Sequence, residues 1–193
     1  MDLRLSWDLF IIVFFGIVVA YSFIIGRNNN LKVILATYIS ALGADAIGNL
    51  FANTLGLSDS FMKLMKIFYI NTPVEAVVLI KILFFMTFIV ILSVRGAYSV
   101  SVVNGGSAGV RMLVNLVFGF LNACLIVSIV LVFISGASFI VGGMGASPAF
   151  QDIYNQSNLA KVLVNHYSIW FLLPAASFLV MSLITTRRTN EAQ

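Results

Sequence analysis

The sequence predicts an all-α fold, a polytopic transmembrane helix bundle with four to five spanning helices and a short amphipathic interfacial helix. The first observation behind this prediction is composition: 61% of the 193 residues are hydrophobic and 9% are charged, whereas soluble domains have about 45–50% and about 25%. A soluble chain of this length buries only about 70% of its surface, which is too little to hide so many apolar side chains. The second observation is that the apolar residues form runs near the bilayer-spanning length of about 20 residues. We therefore expect one integral membrane domain over residues 1–193, with the lipid bilayer as its main partner.

The first two predicted helices cover about residues 8–25 and 31–57. The flank before the first helix carries two aspartates and one arginine. It lacks the positive n-region of a signal peptide, so we expect a retained helix. The sequence GRNNN at 26–30 separates the two helices, because glycine ends a helix and asparagine tolerates turn geometry.

The amphipathic helix is predicted at about residues 59–70. Its apolar residues recur at i, i+3, i+4 and i+7 from Phe61, with two lysines on the other side. This spacing is typical of a helix that lies in the membrane interface, and the segment is too short to span. The third spanning helix is predicted at about residues 74–94, directly after Pro73, which suits the first turn of a helix.

The fourth predicted helix covers about residues 112–141 and is ended by the glycine-rich sequence GGMGASP at 142–148. The last apolar run, about residues 159–186, contains Pro174 in its middle. We expect this run to span with a kink at the proline, because neighbouring helices in a bundle can compensate for the lost hydrogen bond. The alternative is an amphipathic surface helix over the first part of the run.

The basic residues indicate an orientation for five spans. Four Lys and Arg residues fall on the side of the N-terminus and six on the side of the C-terminus. The positive-inside rule then places the C-terminus, with Arg187 and Arg188, in the cytoplasm.

The second helix contains an unusual polar stripe within ALGADAIGNLFANTLG, residues 41–56. Asp45, Asn49 and Asn53 are spaced four apart and therefore share one helix face. Beside them runs a stripe of small residues, a pattern that lets two helix backbones approach closely in lipid. The members of this helix-packing stripe are Ala44, Gly48, Ala52 and Gly56.

Two interpretations of Asp45 follow. A carboxylate facing acyl chains costs at least a few kcal/mol, so Asp45 must face protein or water. The favoured interpretation is packing, in which Asp45 hydrogen-bonds across a helix interface together with Asn49 and Asn53. The alternative is transport, in which Asp45 lines a path for protons or a cation.

Four further residues are candidates to face this stripe. Asn115, Gly119 and Asn122 are spaced i, i+4 and i+7 on the fourth helix. Lys81 lies in the third helix, where we expect it to snorkel towards the interface along its own stem. The alternative for Lys81 is an ion pair with Asp45.

The sequence lacks the usual signatures of catalysis. It contains no H-E-x-x-H, no G-x-S-x-G and no P-loop. Its single cysteine, Cys124, and single histidine, His166, offer no metal cluster. We expect a non-enzymatic protein with no catalytic residue, no metal, no cofactor and no nucleic-acid partner, and with a homo-oligomer or a membrane-complex partner as candidate assemblies.

Over roughly residues 7–140 the order of features resembles the colicin V production protein family of bacterial inner-membrane proteins. Asp8 opens the first helix in WDLFIIVFFGIVV, and a Gly-Arg turn leads into the second in IIGRNNNLKVILATYISALGADAIG. The fourth helix, RMLVNLVFGFLNACLIV, matches the family at Gly119. It departs at Asn122, where the family usually has a base, and at Ala123, where it usually has a glycine.

The resemblance implies a multi-pass protein of the bacterial cytoplasmic (inner) membrane that supports toxin production or secretion, or envelope maintenance. Two alternatives remain open from the residues themselves. One is a small transporter or a proton- or ion-conducting subunit that uses Asp45. The other is an accessory subunit of a membrane complex whose partner completes the site.

Overall fold

The computed structural model describes residues 6–54, 58–67, 69–96, 108–141 and 147–190. Within these ranges the chain forms eight α-helices and no β-strand. The helices are α1 (Trp7–Gly26), α2 (Asn28–Thr54), α3 (Asp59–Lys66), α4 (Pro73–Arg95), α5 (Ala108–Ile134), α6 (Pro148–Gln156), α7 (Asn158–Asn165) and α8 (Tyr167–Asn190).

Four of these helices are long and apolar enough to cross a membrane, namely α1, α2, α4 and α5. Taken together, α7 and α8 are also long and apolar enough to cross a membrane, although the two helices are bent by 64° relative to each other. The all-α bundle with four to five candidate spans is therefore confirmed over the described residues. These helices indicate a multi-pass membrane protein.

The break between α1 and α2 is a single residue wide. Gly26 has φ 76° and ψ 172°, a backbone conformation that costs glycine little because it has no Cβ. Across the break, Asn30 Nδ2 donates to the carbonyl oxygen of Ser22 at 3.0 Å. The second helix consequently begins at Asn28, earlier than the predicted residue 31.

The predicted fourth helix is too long at its C-terminal end. The helix stops at Ile134, not at residue 141. Gly136 has φ 80° and donates to the carbonyl of Phe133 at 2.9 Å, while Ala137 donates to the carbonyl of Val132 at 3.3 Å. This pair of hydrogen bonds around a left-handed glycine is the Schellman motif, which terminates a helix.

The predicted single helix over residues 159–186 is also wrong, because His166 divides it into α7 and α8. His166 has φ −113° and ψ 23°, which leaves the helical region, and its carbonyl accepts from Ile169 and Trp170 at the start of α8. The bend therefore lies at His166, and α8 continues through Pro174.

The short amphipathic helix is shorter than predicted. The structure ends it at Lys66, not at residue 70, and Tyr69 in the following turn has φ 60°. The start of α4 agrees with the expectation for Pro73, which occupies the first turn. Thr72 and Glu75 add a capping box there, in which the side chain of each residue accepts a hydrogen bond from the backbone N–H of the other.

The core is organised around α5. In the apolar stretch of α5, 78% of the residues are buried inside the bundle, whereas only 11% are buried in the corresponding stretches of α1 and α4. Helix α5 is therefore the central helix of the bundle. One buried cluster joins α5 to α2 and α4, with Phe85 and Phe133 among its largest side chains. A second joins α5 to α1, α6 and α7 through residues such as Ile11 and Ile153. Helix α5 thus separates two packing layers, and the polar residues of α2 lie in the first.

Candidate functional site: a buried ion pair between two spanning helices

The polar stripe of α2 runs from the core towards a surface. Thr37 is buried, and its hydroxyl donates to the carbonyl of Val33 in the preceding turn at 2.8 Å. Asp45 is completely buried, Asn49 is half-buried and Asn53 is exposed. The four-residue step therefore places these groups at decreasing depth along one helix face.

Asp45 forms an ion pair with Lys81 of α4. Lys81 Nζ donates to Asp45 Oδ1 at 2.7 Å, and the two side chains are 0% and 3% exposed for Asp45 and Lys81. The same ammonium group donates to the carbonyl of Ala137 at 3.2 Å and lies 5.8 Å from the centre of the Phe133 ring. The expectation that Lys81 snorkels to the interface is wrong, because its charge is compensated inside the bundle.

The second carboxylate oxygen is bound by the turn that follows α5. We call residues 135–141 the post-α5 turn. Ser138 Oγ donates to Asp45 Oδ2 at 2.8 Å, and the backbone N–H of Ile140 donates to the same oxygen at 3.0 Å. Asn49 Nδ2 donates to Ser138 Oγ at 2.8 Å. Both oxygens of Asp45 are therefore satisfied, and the charge is held by α4 on one side and the post-α5 turn on the other.

Gly48 makes room for the lysine stem. A Cβ atom built on Gly48 would lie 2.3 Å from Cγ of Lys81 and 2.7 Å from its Cε. The aliphatic part of Lys81 thus lies directly across the α2 backbone at this position. Of the other predicted packing residues, Ala44 is buried, Ala52 is half-buried and Gly56 lies outside the described residues. The small residue at position 48 therefore makes room for the side chain of Lys81 and not for the backbone of a second helix.

The remaining candidates on α5 lie elsewhere. A Cβ on Gly119 would lie 2.7 Å from Cβ of Ser22, so this glycine marks the contact of α5 with α1. Asn122 is buried one turn further on, and Asn115 is half-buried near the start of the helix. Oδ1 of each asparagine has no hydrogen-bond partner among the described residues. The structure therefore places Gly119 beside α1, and neither asparagine is among the hydrogen-bond partners that Asp45 has in the described chain.

A second polar contact joins the start of α1 to the α6–α7 corner. Ser157 caps α7 by accepting from the N–H of Ala160 at 2.9 Å, and its hydroxyl donates to Asp8 Oδ1. The N–H of Leu159 donates to the same Asp8 oxygen at 3.2 Å. Asp8 therefore compensates the N-terminal end of α7, where backbone N–H groups are unpaired within the helix.

The groups that complete the site were not found from the sequence. Ser138 and the backbone of Ile140 fall in a segment that was predicted to be helical, where their hydrogen bonds would have been used within the helix. The signal that could have revealed them is the sequence SGAS at 135–138, because a glycine within a long apolar run is compatible with a left-handed helix end.

The arrangement places two side chains of opposite charge inside a bundle of spanning helices. Intramembrane charges of this kind are rare and mark either interhelical pairing or a path for ions. Within the residues that the structure describes, no group of three His, Cys, Asp or Glu side chains is placed to bind a metal ion. As an acid and a base in direct contact, Asp45 and Lys81 themselves support ion pairing or proton exchange.

Three comparisons with known proteins returned nothing for this chain: no family model matches it, and neither does a curated protein or a solved structure.

Proposed function

We propose that this chain is a non-enzymatic, multi-pass component of the bacterial cytoplasmic membrane that supports toxin production or secretion, or envelope maintenance. The resemblance to the colicin V production family suggests the cellular role. The observation that carries the non-enzymatic part is the completeness of the Asp45–Lys81 site, in which the carboxylate accepts three hydrogen bonds from its surroundings. A group held in this way is suited to fixing helices in register rather than to turning over a substrate.

The ion pair would give this component a defined shape. It joins α2, α4 and the post-α5 turn, three segments that are distant in sequence. Helices in lipid have little hydrophobic driving force to associate, so interhelical polar contacts contribute to their specific arrangement. A membrane scaffold of this kind presents a fixed surface to partner proteins.

The cellular role can be tested by complementation. A bacterium that lacks its own colicin V production protein would receive either this chain or the variant Asp45→Asn, and colicin V export and resistance to detergents would be measured. Restoration by the wild-type chain supports the proposal. Failure by a wild-type chain that is present in the membrane at normal levels contradicts the proposed role.

A specific observation favours a second candidate, a proton- or ion-conducting subunit. Asn53 is exposed, Asn49 is half-buried, and Asn49 donates to Ser138, which in turn donates to Asp45. These groups form a polar line from one surface to the buried pair. On the other side of Asp45 lie the buried Ala41 and then Thr37, whose hydroxyl is used within its own helix.

Reconstitution distinguishes the two candidates. The purified chain would be placed in liposomes with a pH gradient, and internal pH would be followed with a dye. We expect the same slow leak for the wild type and for Asp45→Asn. A fast proton flux in the wild type that is lost in Asp45→Asn would establish the conducting subunit instead.

A further inference from the structure

A cavity of about 150 Å³ lies between α1, α4 and α5. Its walls are formed by Trp7 and Phe14 of α1, Met86 of α4 and Val130 of α5, and Ile153 of α6 contributes to one end. Every side chain that lines it is apolar or aromatic. We call it the α1–α4 groove.

The groove is a concave site and not simply an apolar helix face. Three spanning helices contribute to it, with α5 providing the buried floor and Met86 half-exposed at the rim. The residues that α1 contributes come from its first turns, and those of α5 come from its last turns. The groove therefore lies towards the side of the membrane where α1 begins, α5 ends and α6 lies.

The position of α6 at this end is fixed by the polar contact of Asp8. Its bonds with Ser157 and Leu159 attach the α6–α7 corner to the start of α1, and Ile153 is consequently held over the groove at 4% exposure. Helix α6 of the same chain therefore covers this end of the groove.

The size and lining select the occupant. An apolar groove of this kind offers water no hydrogen-bond partner and accepts apolar groups, and the lining atoms of an unfilled groove lose dispersion contacts. An α-helix of a partner protein is about 10–12 Å wide, so only individual side chains of such a helix would enter this space, whereas an acyl chain can enter it lengthwise. In a bilayer, the abundant molecule of narrow, flexible and apolar shape is a lipid acyl chain.

We propose that the α1–α4 groove binds one acyl chain of a membrane lipid, in the leaflet on the side where α1 begins. This inference rests on the membrane-spanning helices and does not depend on the proposed cellular role. The lipid would fill the space between α1 and α4 and join the two helices that are least buried in the bundle.

Tryptophan fluorescence offers a direct test, because Trp7 lines the groove and the chain has only one other tryptophan, Trp170. The variant Trp170→Phe leaves Trp7 as the sole reporter. Trp170 Nε1 has no hydrogen-bond partner within the described chain, so phenylalanine removes no polar contact from it. The protein would be purified in detergent and titrated with a phospholipid brominated on its acyl chains, which quenches tryptophan on contact.

We expect quenching that saturates at a low ratio of lipid to protein. In the same background, Val130→Phe places a ring in the floor of the groove and should remove the saturating part of the quenching. Val117→Phe is the matched control, since Val117 lies on the same helix, is 44% exposed and does not line the groove. Met86→Phe at the half-exposed rim provides a second blocking variant if Val130→Phe does not yield a folded protein.

Two outcomes would overturn the proposal. Quenching that rises without saturation, and equally in Val130→Phe and Val117→Phe, would mean that Trp7 contacts only surrounding lipid. Cross-linking of Met86→Cys between two chains, in a Cys124→Ser background and with no saturating quenching, would mean that a second copy covers the groove.

Discussion

At the scale of single residues, the structure pairs two charges that neither helix could carry alone in lipid. Asp45 has no exposed surface, and Lys81 has 3%. Each would cost several kcal/mol if it were left charged and unpaired at bilayer depth. Their contact at 2.7 Å therefore makes the stability of each residue depend on the other.

The first prediction concerns this dependence. Asp45→Asn should destabilise the protein by about 3–5 kcal/mol because Lys81 is left as an uncompensated buried charge. Lys81→Met should have a similar cost for the opposite reason. The double variant should cost clearly less than the sum of the two, and detergent unfolding titrations of all four proteins would measure the difference.

Asp152→Asn is the control for the ion pair, because Asp152 is exposed and its hydrogen bond comes from Gln156 on the same helix. It should change the free energy of unfolding very little. Strictly additive losses in the Asp45 and Lys81 variants would contradict the coupling.

The second prediction concerns Gly48. Gly48→Ala introduces a methyl group 2.3 Å from Lys81 Cγ, so the lysine stem must move. We expect a loss of about 1–3 kcal/mol, as in other overpacked cores. Gly16→Ala is the control because its new Cβ would meet no atom within 4 Å, and it should be neutral or slightly stabilising. Thermal denaturation in detergent would compare the two, and equal effects would contradict the close contact.

The site could be predicted from the sequence only in part, because the spacing of residues along one helix describes that helix alone. The four-residue step correctly identifies which residues share the face of Asp45, but it does not specify which helix lies opposite. For this reason the sequence favours a snorkelling Lys81 over a Lys81 that is paired with Asp45. The pairing depends on Gly48, whose missing side chain allows the lysine stem to cross α2.

At the scale of helices, the apolar runs predicted the spans well because lipid imposes both length and composition. The sequence predicts the helix ends less accurately, because a single residue decides where a helix stops. Gly136 ends α5 within an apolar sequence, and His166 divides the last run at a short polar stretch, NHYS at 165–168. The turn at Gly136 matters most, because it releases Ser138 and Ile140 to bind Asp45.

The third prediction tests this helix end. Gly136→Ala should destabilise the protein by about 1–2 kcal/mol, because an L-residue is strained at φ 80°. Gly136→Asn should recover part of the loss, since asparagine tolerates the left-handed conformation better. Gly109→Ala within α5 meets no atom within 4 Å and serves as the control. Thermal denaturation would measure all three, and indistinguishable effects of Gly136→Ala and Gly109→Ala would contradict a requirement for the glycine.

At the scale of the whole molecule, the buried helix α5 lies between the cluster that it forms with α2 and α4 and the cluster that it forms with α1, α6 and α7. The α1–α4 groove lies against one face of α5, and the post-α5 turn extends from the end of this helix to the ion pair. The two proposed features therefore share a single helix but involve different partners, a lipid in the first case and a charge pair in the second.

The fourth prediction decides how far water enters the molecule from the surface at Asn53. In a Cys124→Ser background, Asn53→Cys, Asn49→Cys and Ala41→Cys would be treated with a small water-soluble thiol reagent in membranes opened to both sides. We expect fast labelling at position 53, where the side chain is exposed, and slower labelling at the half-buried position 49. Ala41 is 2% exposed and lies one turn beyond Asp45, so Ala41→Cys should stay unlabelled until the protein is unfolded.

The labelling pattern bears directly on function, because a conducting subunit needs water on both sides of its charged residue. Labelling that stops at position 49 would mean that the ion pair closes the polar line, as a helix-fixing role requires. Labelling of Ala41→Cys at the rate of Asn53→Cys, in a protein that remains folded, would mean that water passes Asp45. The conducting subunit would then become the better account of why a carboxylate and an ammonium group lie within this bundle.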